Sequence, residues 1–164
     1  MSDPLAYLIT FRTYGTWLHG DARGSVDRHH NVYGTPMLDS KPALQAAERS
    51  QLRQSPILLT GAQCIMVAEA VRGVCRDRDW SLLALKVRSN HVHAVVAAPD
   101  LPEKVLHALK SRATRQLRAV GMVTSAARLW SRHGSTKYLW KPHHVEQACR
   151  YVAEGQGDRL GGEM

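Results

Sequence analysis

The sequence lacks the features that mark membrane-spanning and secreted proteins. It contains no uninterrupted apolar stretch of about 18 residues, which is the length that a transmembrane helix requires. Its first residues carry no basic segment ahead of an apolar one, as a secretion signal would. We therefore expect a cytosolic protein that makes no contact with a membrane.

Cysteine is scarce as well. The chain has three, Cys64, Cys75 and Cys149, and no pair with the spacing CxxC. An odd number without metal-binding spacing argues against a disulfide framework and against a structural zinc site. We expect all three to be reduced thiols, mostly inside the core.

Acidic side chains are nearly missing from one third of the chain. Residues 1–100 carry 11 basic and 9 acidic side chains, whereas residues 101–150 carry 10 basic and 2 acidic ones. The net charge is +8 and the isoelectric point about 9.8. Such a concentration of positive charge favours a polyanionic partner, although a membrane surface or a merely solvated helix face would give the same composition.

The hydrophobic pattern predicts alternating strands and helices. Strands are expected at residues 5–12, 80–88 and 91–98, with short strand-like pieces over 128–140. Helices are expected at residues 43–54, 61–78 and 102–120, and from Pro142 to Ala153 or Glu154. Residues 13–42 show no periodicity and are interpreted as a functional loop or a disordered insertion.

Local signals support several of these boundaries. Thr60 is a candidate N-cap for helix 61–78, and Gly121 follows the last residue of helix 102–120. Ser89-Asn90 is a two-residue turn between two strands and therefore predicts a hairpin. The helical period predicts an inward face of helix 61–78 made of Ile65, Ala68, Val71 and Cys75.

This order of elements predicts an α+β protein with one antiparallel sheet and helices packed on it, of the ferredoxin-like kind. With 164 residues, the chain fits a single domain over residues 1–164 with one hydrophobic core.

Two histidines two positions apart are the first candidate for chemistry. His91 and His93 begin the predicted strand 91–98, and side chains two apart on a strand point to the same face. Two neutral imidazoles side by side can bind a metal ion. The alternative is a pair of surface or core histidines without a ligand, which is common.

A tyrosine near the C-terminus is the second candidate. Tyr151 lies in the last predicted helix. A phenol has a pKa near 10, so it needs a nearby cation or metal ion to act as a nucleophile at neutral pH. A tyrosine packed on the sheet is the alternative interpretation.

These residues resemble a known family. The segment Ser-Asn-His-Val-His-Ala-Val-Val resembles the HUH motif of single-tyrosine transposases, which include insertion-sequence enzymes and REP-associated tyrosine transposases. The opening strand Tyr-Leu-Ile-Thr-Phe, the segment Leu-Lys-Ser-Arg at 109–112 and Tyr-Val-Ala-Glu-Gly-Gln near the end follow the same order. The resemblance extends over nearly the whole chain.

The resemblance implies a ferredoxin-like core, cleavage of single-stranded DNA at or near a hairpin, and a covalent 5′-phosphotyrosine. It implies Mg²⁺ or Mn²⁺ as cofactor, His91 and His93 as metal ligands and Tyr151 as the nucleophile. The family places a polar third ligand one turn after the tyrosine, where this chain has Gly155. The resemblance therefore implies Gln156, the next residue, as the third ligand, with Glu154 as a competing candidate.

DNA would lie along the basic helix 102–120 and around the site. The cations assigned to it are Lys110, Arg112, Arg115, Arg118, Arg132, Lys137 and Arg12. Trp17, Tyr14 and Trp130 are candidates for stacking on unpaired bases, while Trp130 and Trp140 can equally belong to the core.

Two other functions remain open from the sequence. One is a domesticated module that binds hairpin DNA or RNA without cutting it, which the displaced Gln156 would favour. The other is a replication initiator or relaxase, although such enzymes are usually longer. The resemblance leaves both a monomer and a homodimer open.

Overall fold

A computed structural model describes the chain over residues 2–16 and 55–154. Within these ranges it contains four strands and three helices. In chain order they are β1 (Ala6–Arg12), α1 (Gly61–Asp77), β2 (Ser81–Val87), β3 (His91–Ala97), α2 (Pro102–Ala119), β4 (Ser135–Leu139) and α3 (Pro142–Ala153). The predicted helix 43–54 and the predicted loop 13–42, apart from its first four residues, lie outside the described residues.

The four strands form one antiparallel sheet in the order β2-β3-β1-β4. Strands β1 and β3 occupy the centre, and each has six buried residues out of seven. Helices cover both faces of these two strands, which explains why their sequences are almost continuously apolar. The order of elements and the antiparallel pairing confirm the predicted α+β fold of ferredoxin-like kind.

The two faces of the sheet carry separate apolar clusters. One face packs against α1 and α2, and is called here the two-helix face; its cluster includes Ile9, Phe11 and Val92, none of which is exposed. The other face packs against α3, and is called here the one-helix face. Its smaller cluster consists of Ala6, Leu8, Val95, Leu139, Ala148 and Val152.

The hairpin between β2 and β3 forms as predicted. Arg88 N donates a hydrogen bond of 2.8 Å to His91 O, which closes a two-residue loop of Ser89 and Asn90. Val87 pairs with Val92 next to this loop. The short loop fixes the register of β3 and therefore decides which of its side chains face α3.

Helix α1 begins with the predicted cap and buries part of the predicted apolar face. Thr60 Oγ1 accepts from Gln63 N at 3.1 Å and Gln63 Oε1 accepts from Thr60 N at 2.8 Å, which forms a capping box. The predicted inward position Ile65 was wrong, since this side chain is 65% exposed. The predicted inward positions Val71 and Cys75 are buried, and Val67 and Val74 complete the buried stripe in place of Ile65.

The C-terminal half confirms one predicted boundary and narrows another. Gly121 has φ of 76° and follows the end of α2, as predicted. Of the strand-like pieces expected over 128–140, only β4 is a strand, and Trp130 contributes a single bridge to Thr13.

No helix among the described residues is both long and apolar enough to cross a membrane.

Candidate active site

The two histidines lie side by side at the start of β3, on the one-helix face. His91 is 9% and His93 7% exposed, and their ring centroids are 4.6 Å apart. Val92 between them is fully buried in the cluster of the two-helix face. The alternation of the strand therefore brings both imidazoles to one face, as the sequence predicted.

Each imidazole is held through its Nδ1 atom. His93 Nδ1 is hydrogen-bonded to Thr10 Oγ1 at 2.8 Å, across the β1–β3 pair in which these two residues are register partners. His91 Nδ1 lies 2.6 Å from Asn90 Oδ1, which can only accept, so this nitrogen carries the proton. In neutral His91 the lone pair is therefore on Nε2. In neutral His93 it is also on Nε2 if Nδ1 donates its hydrogen bond to Thr10 Oγ1. This arrangement is usual for histidines that bind a metal ion.

The surroundings of the pair keep His93 neutral. Burial lowers the pKa of His93 well below its usual value, and nearby positive charge lowers it further, from His91 when that ring is protonated and from Arg12, Arg88 and Lys137. A neutral imidazole is the form that can donate its lone pair to a metal ion. The three cations also make this end of the one-helix face attractive to phosphate.

Helix α3 places Tyr151 against the histidines. The ring centroids of Tyr151 and His93 are 5.4 Å apart with an interplanar angle of 77°. Ala148 and Val152 on the same helix are buried against Leu8 and Val95 of the sheet, which fixes the position of the helix. One chain therefore brings the predicted nucleophile and the predicted metal ligands together.

The donor chemistry of the pair fits a divalent metal ion. Two imidazole nitrogens suit a first-row transition ion better than Mg²⁺, which prefers oxygen ligands. Of the predicted third ligands, Glu154 is the exposed C-cap residue of α3. Among the described residues no group of three or more His, Cys, Asp and Glu side chains could hold a metal ion, so Glu154 does not complete the set there. Gln156 lies outside the described residues.

Comparison with known proteins identifies the family. The model of the IS200-like transposases matches residues 53–154. The chain belongs to this family. It is an HUH-type single-tyrosine transposase by lineage, as the resemblance implied, and His91, His93 and Tyr151 lie within the matched range. No curated protein matches this transposase by sequence.

Two solved structures share its fold. One is a REP-associated tyrosine transposase bound to a REP hairpin, with 14% identity and a TM-score of 0.56, covering 97% of this chain and 70% of that one. The other is a candidate transposase from Deinococcus radiodurans R1, with 14% identity and a TM-score of 0.52, covering 94% of this chain and 92% of that one. At this identity the likeness establishes the fold of the transposase.

Five of the seven predicted DNA-binding cations of the transposase fall into two groups. Arg12 and Lys137 lie beside the histidines, where both influence the pKa of His93. Lys110, Arg115 and Arg118 line a groove between α2 and residues 128–131. Arg112 instead donates to the carboxylate of Asp77 on α1, and Arg132 is exposed in the segment before β4. Trp17 lies outside the described residues.

Of the aromatic residues considered for base stacking or for the core, two are buried and one is exposed. Trp130 is 7% exposed, packs edge-on against Phe11 and donates its indole N–H to Thr114 Oγ1 at 3.0 Å, so it belongs to the core. Tyr14 is buried too. Trp140 is 48% exposed and stacks on Tyr138 with ring centroids 5.7 Å apart.

Sequence reasoning missed four residues that shape the transposase site. Thr10 and Asn90 hold the imidazoles, Arg88 adds positive charge beside His93, and Arg128 lines the groove. Asn90 adjoins His91 and was detectable as a turn residue with a side-chain acceptor. Thr10 becomes visible only when the β1–β3 register is known, because 83 residues separate it from His93.

Proposed function

We propose that this transposase cuts and rejoins single-stranded DNA next to a hairpin, with Tyr151 as the nucleophile. The observation that carries the proposal is the contact between Tyr151 and His93, whose ring centroids are 5.4 Å apart within one chain. Membership of the IS200-like family supports the reaction class. The fold shared with a transposase whose structure contains a REP hairpin supports hairpin DNA as the substrate.

A divalent metal ion would be held by Nε2 of His91 and of His93, with Gln156 as the third ligand. Helix α3, which carries Tyr151, ends at Ala153, and Gln156 lies outside the described residues. The donor set favours Mn²⁺ over Mg²⁺. When bound, the ion polarises the scissile phosphate and offsets the charge that develops on its oxygens.

The chain's own residues account for the remaining steps. The phenol of Tyr151 would lose its proton to water, and Arg12, Arg88 and Lys137, whose charges act on the neighbouring His93, are the cations available to stabilise a phenolate. The phenolate oxygen attacks phosphorus, a Tyr–O–P bond forms, and the bond to the 3′ oxygen breaks. The 3′ oxygen takes a proton from water and leaves as a 3′ hydroxyl. The phosphodiester energy is kept in the phosphotyrosine, so a second 3′ hydroxyl can reverse the step without ATP.

A covalent adduct is the direct test. The full chain is incubated with Mn²⁺ and hairpin DNA that has single-stranded flanks and a 3′-end label, and the mixture is then denatured. We expect a labelled protein band from the unaltered chain and from Tyr138→Phe, and none from Tyr151→Phe or His91→Ala. An adduct that persists in Tyr151→Phe would reject the nucleophile.

Mixing the two inactive variants tests whether one chain suffices. Because Tyr151 and the histidine pair meet within one chain, Tyr151→Phe mixed with His91→Ala should form no adduct. An adduct in the mixture would show that the tyrosine of one copy serves the histidines of another, as in a homodimer that exchanges its C-terminal helices.

A module that binds hairpin DNA or RNA without cutting is the second candidate. It is favoured by one observation, the glycine at position 155, which stands one turn after Tyr151 where the family has a polar metal ligand. Tight hairpin binding with no adduct in Mn²⁺ or Mg²⁺ would decide for it.

A further inference from the structure

Two exposed aromatic rings lie side by side at the end of β4. Tyr138 is 36% and Trp140 48% exposed, and the two rings stack with centroids 5.7 Å apart and an interplanar angle of 28°. Tyr138 also packs edge-on against the buried Tyr7, with ring centroids 5.4 Å apart. Core packing therefore fixes one side of the pair, while a large part of the Trp140 ring faces solvent.

The position of the rings separates them from the candidate active site. Tyr138 pairs with Tyr7 near the start of β1, whereas His91 pairs with Arg12 at its end. Tyr7 belongs to the cluster of the two-helix face, and the histidines lie on the one-helix face. The two rings are therefore removed from Tyr151 both along the strands and across the sheet.

Aliphatic side chains extend the exposed surface around the rings. Leu5 is 47% exposed, and its N–H donates to Leu139 O at 2.8 Å. Leu101 is 68% exposed and follows Asp100, whose carbonyl accepts from the Tyr7 hydroxyl at 2.9 Å. Large apolar side chains that are exposed close together are typical of interaction surfaces. The aromatic patch is defined here as Leu5, Leu101, Tyr138 and Trp140.

Carboxylates lie beside the aromatic patch, although this part of the chain is basic overall. Glu103 Oε2 accepts from Thr136 Oγ1 of β4 at 3.2 Å, and Asp3 is exposed. Asp100 forms an ion pair of 3.0 Å with Lys104. The ion pairs among the described residues include neither Glu103 nor Asp3.

The electrostatic potential at the patch is negative. Burial raises the pKa of the Tyr7 phenol, and nearby negative charge raises it further, from Tyr138 when that phenol is ionised and from Asp3, Glu103 and Asp100. The charges that act most strongly on this phenol are therefore all negative. Such a surface repels the phosphates of DNA and attracts cationic groups.

An exposed ring beside a carboxylate suits a guanidinium group. Cations bind over the faces of Trp and Tyr rings, and arginine can also form paired hydrogen bonds with a carboxylate. Within the part of the chain that the structure describes, the cation–ring contacts are those of Arg78 with Trp80 and of Arg128 with Tyr14. Neither ring of the aromatic patch has such a contact there.

We propose that the aromatic patch binds an arginine-bearing segment of another protein. The guanidinium would lie on Trp140 and pair with the carboxylates of Glu103 and Asp3, and apolar side chains of the same segment would cover Leu5 and Leu101. Trp, Tyr and Arg side chains provide much of the binding energy in protein interfaces. The exposed leucines favour a polypeptide over a small cation, which would leave them uncovered.

A random library of displayed peptides, selected on the immobilised full chain, supplies the probe. Selection takes place with an excess of dissolved Trp140→Ala chain, so that only peptides that need Trp140 are retained. We expect the retained peptides to be enriched in arginine relative to the library. Retained peptides without this enrichment, or no retained peptide at all, would overturn the proposal.

Titration of a labelled retained peptide, followed by fluorescence anisotropy, tests the ring. We expect Trp140→Ala to weaken binding at least about tenfold, as removal of a central interface side chain does, and Trp140→Phe to keep most of the affinity. Because Trp140 is 48% exposed, Trp140→Ala should fold, and its urea midpoint should match that of the unaltered chain. Equal peptide binding by Trp140→Ala and the unaltered chain would overturn the assignment.

The same titration tests the charge on both partners. Glu103→Gln should weaken binding severalfold, and the loss should shrink as salt is added. Glu69→Gln is the control matched in charge, since Glu69 is exposed on α1, and it should bind as the unaltered chain does. Citrulline in place of the peptide's arginine keeps the shape without the charge and should also weaken binding. Unchanged affinity of the citrulline peptide would reject a cationic ligand.

Two other occupants of the patch would give different results. If Trp140→Ala weakens binding of a labelled oligo-dT strand, the rings stack unpaired bases and the assignment to a protein partner is rejected. If the unaltered chain sediments as a dimer and Trp140→Ala as a monomer, the patch joins two copies of this chain and the assignment to another protein is rejected. We expect equal oligo-dT binding and equal sedimentation of the two proteins.

Discussion

The two faces of the sheet differ in composition and in what covers them. The two-helix face is apolar along the length of β1 and β3 and contains most of the core. The one-helix face is apolar at Ala6 and Leu8, where Val152 of α3 packs on it. Beyond that point it carries Thr10, His91 and His93, all of them buried and polar.

Within a single strand, alternate residues contribute either to the core or to the candidate active site. Phe11 and Thr10 are neighbours in β1, yet Phe11 belongs to the large core and Thr10 holds an imidazole. The same is true of Val92 and His93 in β3. Since alternate residues face different sides of the sheet, substitutions one position apart should have separable effects on the free energy of unfolding and on the proposed metal binding.

The largest effect on stability is expected from Phe11→Ala. Phe11 is fully buried and its ring centroid is 4.8 Å from that of Trp130. Removing such a side chain costs about 3–5 kcal/mol, a large part of the stability of a small domain. Urea denaturation measures the loss, and Trp140→Ala is the control because that ring is 48% exposed. A loss below about 1 kcal/mol would contradict the assignment of the main core to the two-helix face.

Gly134→Ala should lower both the stability of the protein and its affinity for Mn²⁺. A Cβ at this position would lie 2.6 Å from the backbone oxygen of Thr10 and 3.1 Å from Leu106. Overpacking of this kind costs about 1–3 kcal/mol, and any shift of β1 also moves the hydroxyl that holds His93. Gly61→Ala is the matched control, since nothing lies within 4 Å of its Cβ position. Unchanged stability and Mn²⁺ affinity in Gly134→Ala would show that the close approach has no consequence.

The side of the sheet on which each residue of β3 lies could be predicted from the sequence, because strand alternation is a local property. The period of two placed His91 and His93 on one face and Val92 on the other, and the turn at Ser89-Asn90 fixed the hairpin. The resemblance to the tyrosine transposases added Tyr151, whose place beside His93 depends on packing between distant segments.

What could not be predicted depends on register and on helix rotation. The inward face of α1 was wrong at Ile65 because neighbouring apolar stripes give similar periodicity. The burial of Trp130 depends on its contact with Phe11, which lies 119 positions earlier in the chain. The groove arises where two segments meet, so composition indicated its cations but not its shape.

A smaller effect, specific to the one-helix face, is expected from Thr10→Val. Valine keeps the shape of threonine but removes the oxygen that is hydrogen-bonded to His93 Nδ1. Loss of such a partner lowers metal affinity by about 10- to 100-fold, which Mn²⁺ titration followed by electron paramagnetic resonance can measure. Thr10→Ser keeps the hydroxyl and should restore most of the affinity. Equal affinity in Thr10→Val and the unaltered chain would mean that Thr10 does not orient the ligand.

The smallest effect is a dependence of stability on pH that arises at Lys110, on the other side of the sheet. Burial and the charge of Arg128 lower the pKa of Lys110 from 10.5 to about 8. Between these two values the unfolded chain binds more protons than the folded chain, so the contribution of Lys110 to the free energy of unfolding rises with pH. The cost of burying the charge is fully present below about pH 8 and is relieved as the pH increases.

Comparison with Lys110→Met isolates this contribution, because all other groups titrate alike in both proteins. The free energy of unfolding of the unaltered chain minus that of Lys110→Met should increase by an amount of the order of 1 kcal/mol from pH 8 to pH 10, since partial solvent access reduces the full linkage effect. Lys110→Arg cannot lose its proton, so the difference between Lys110→Arg and Lys110→Met should stay flat. A flat difference for the unaltered chain as well would mean that burial does not disfavour the charged form of Lys110 in the folded protein.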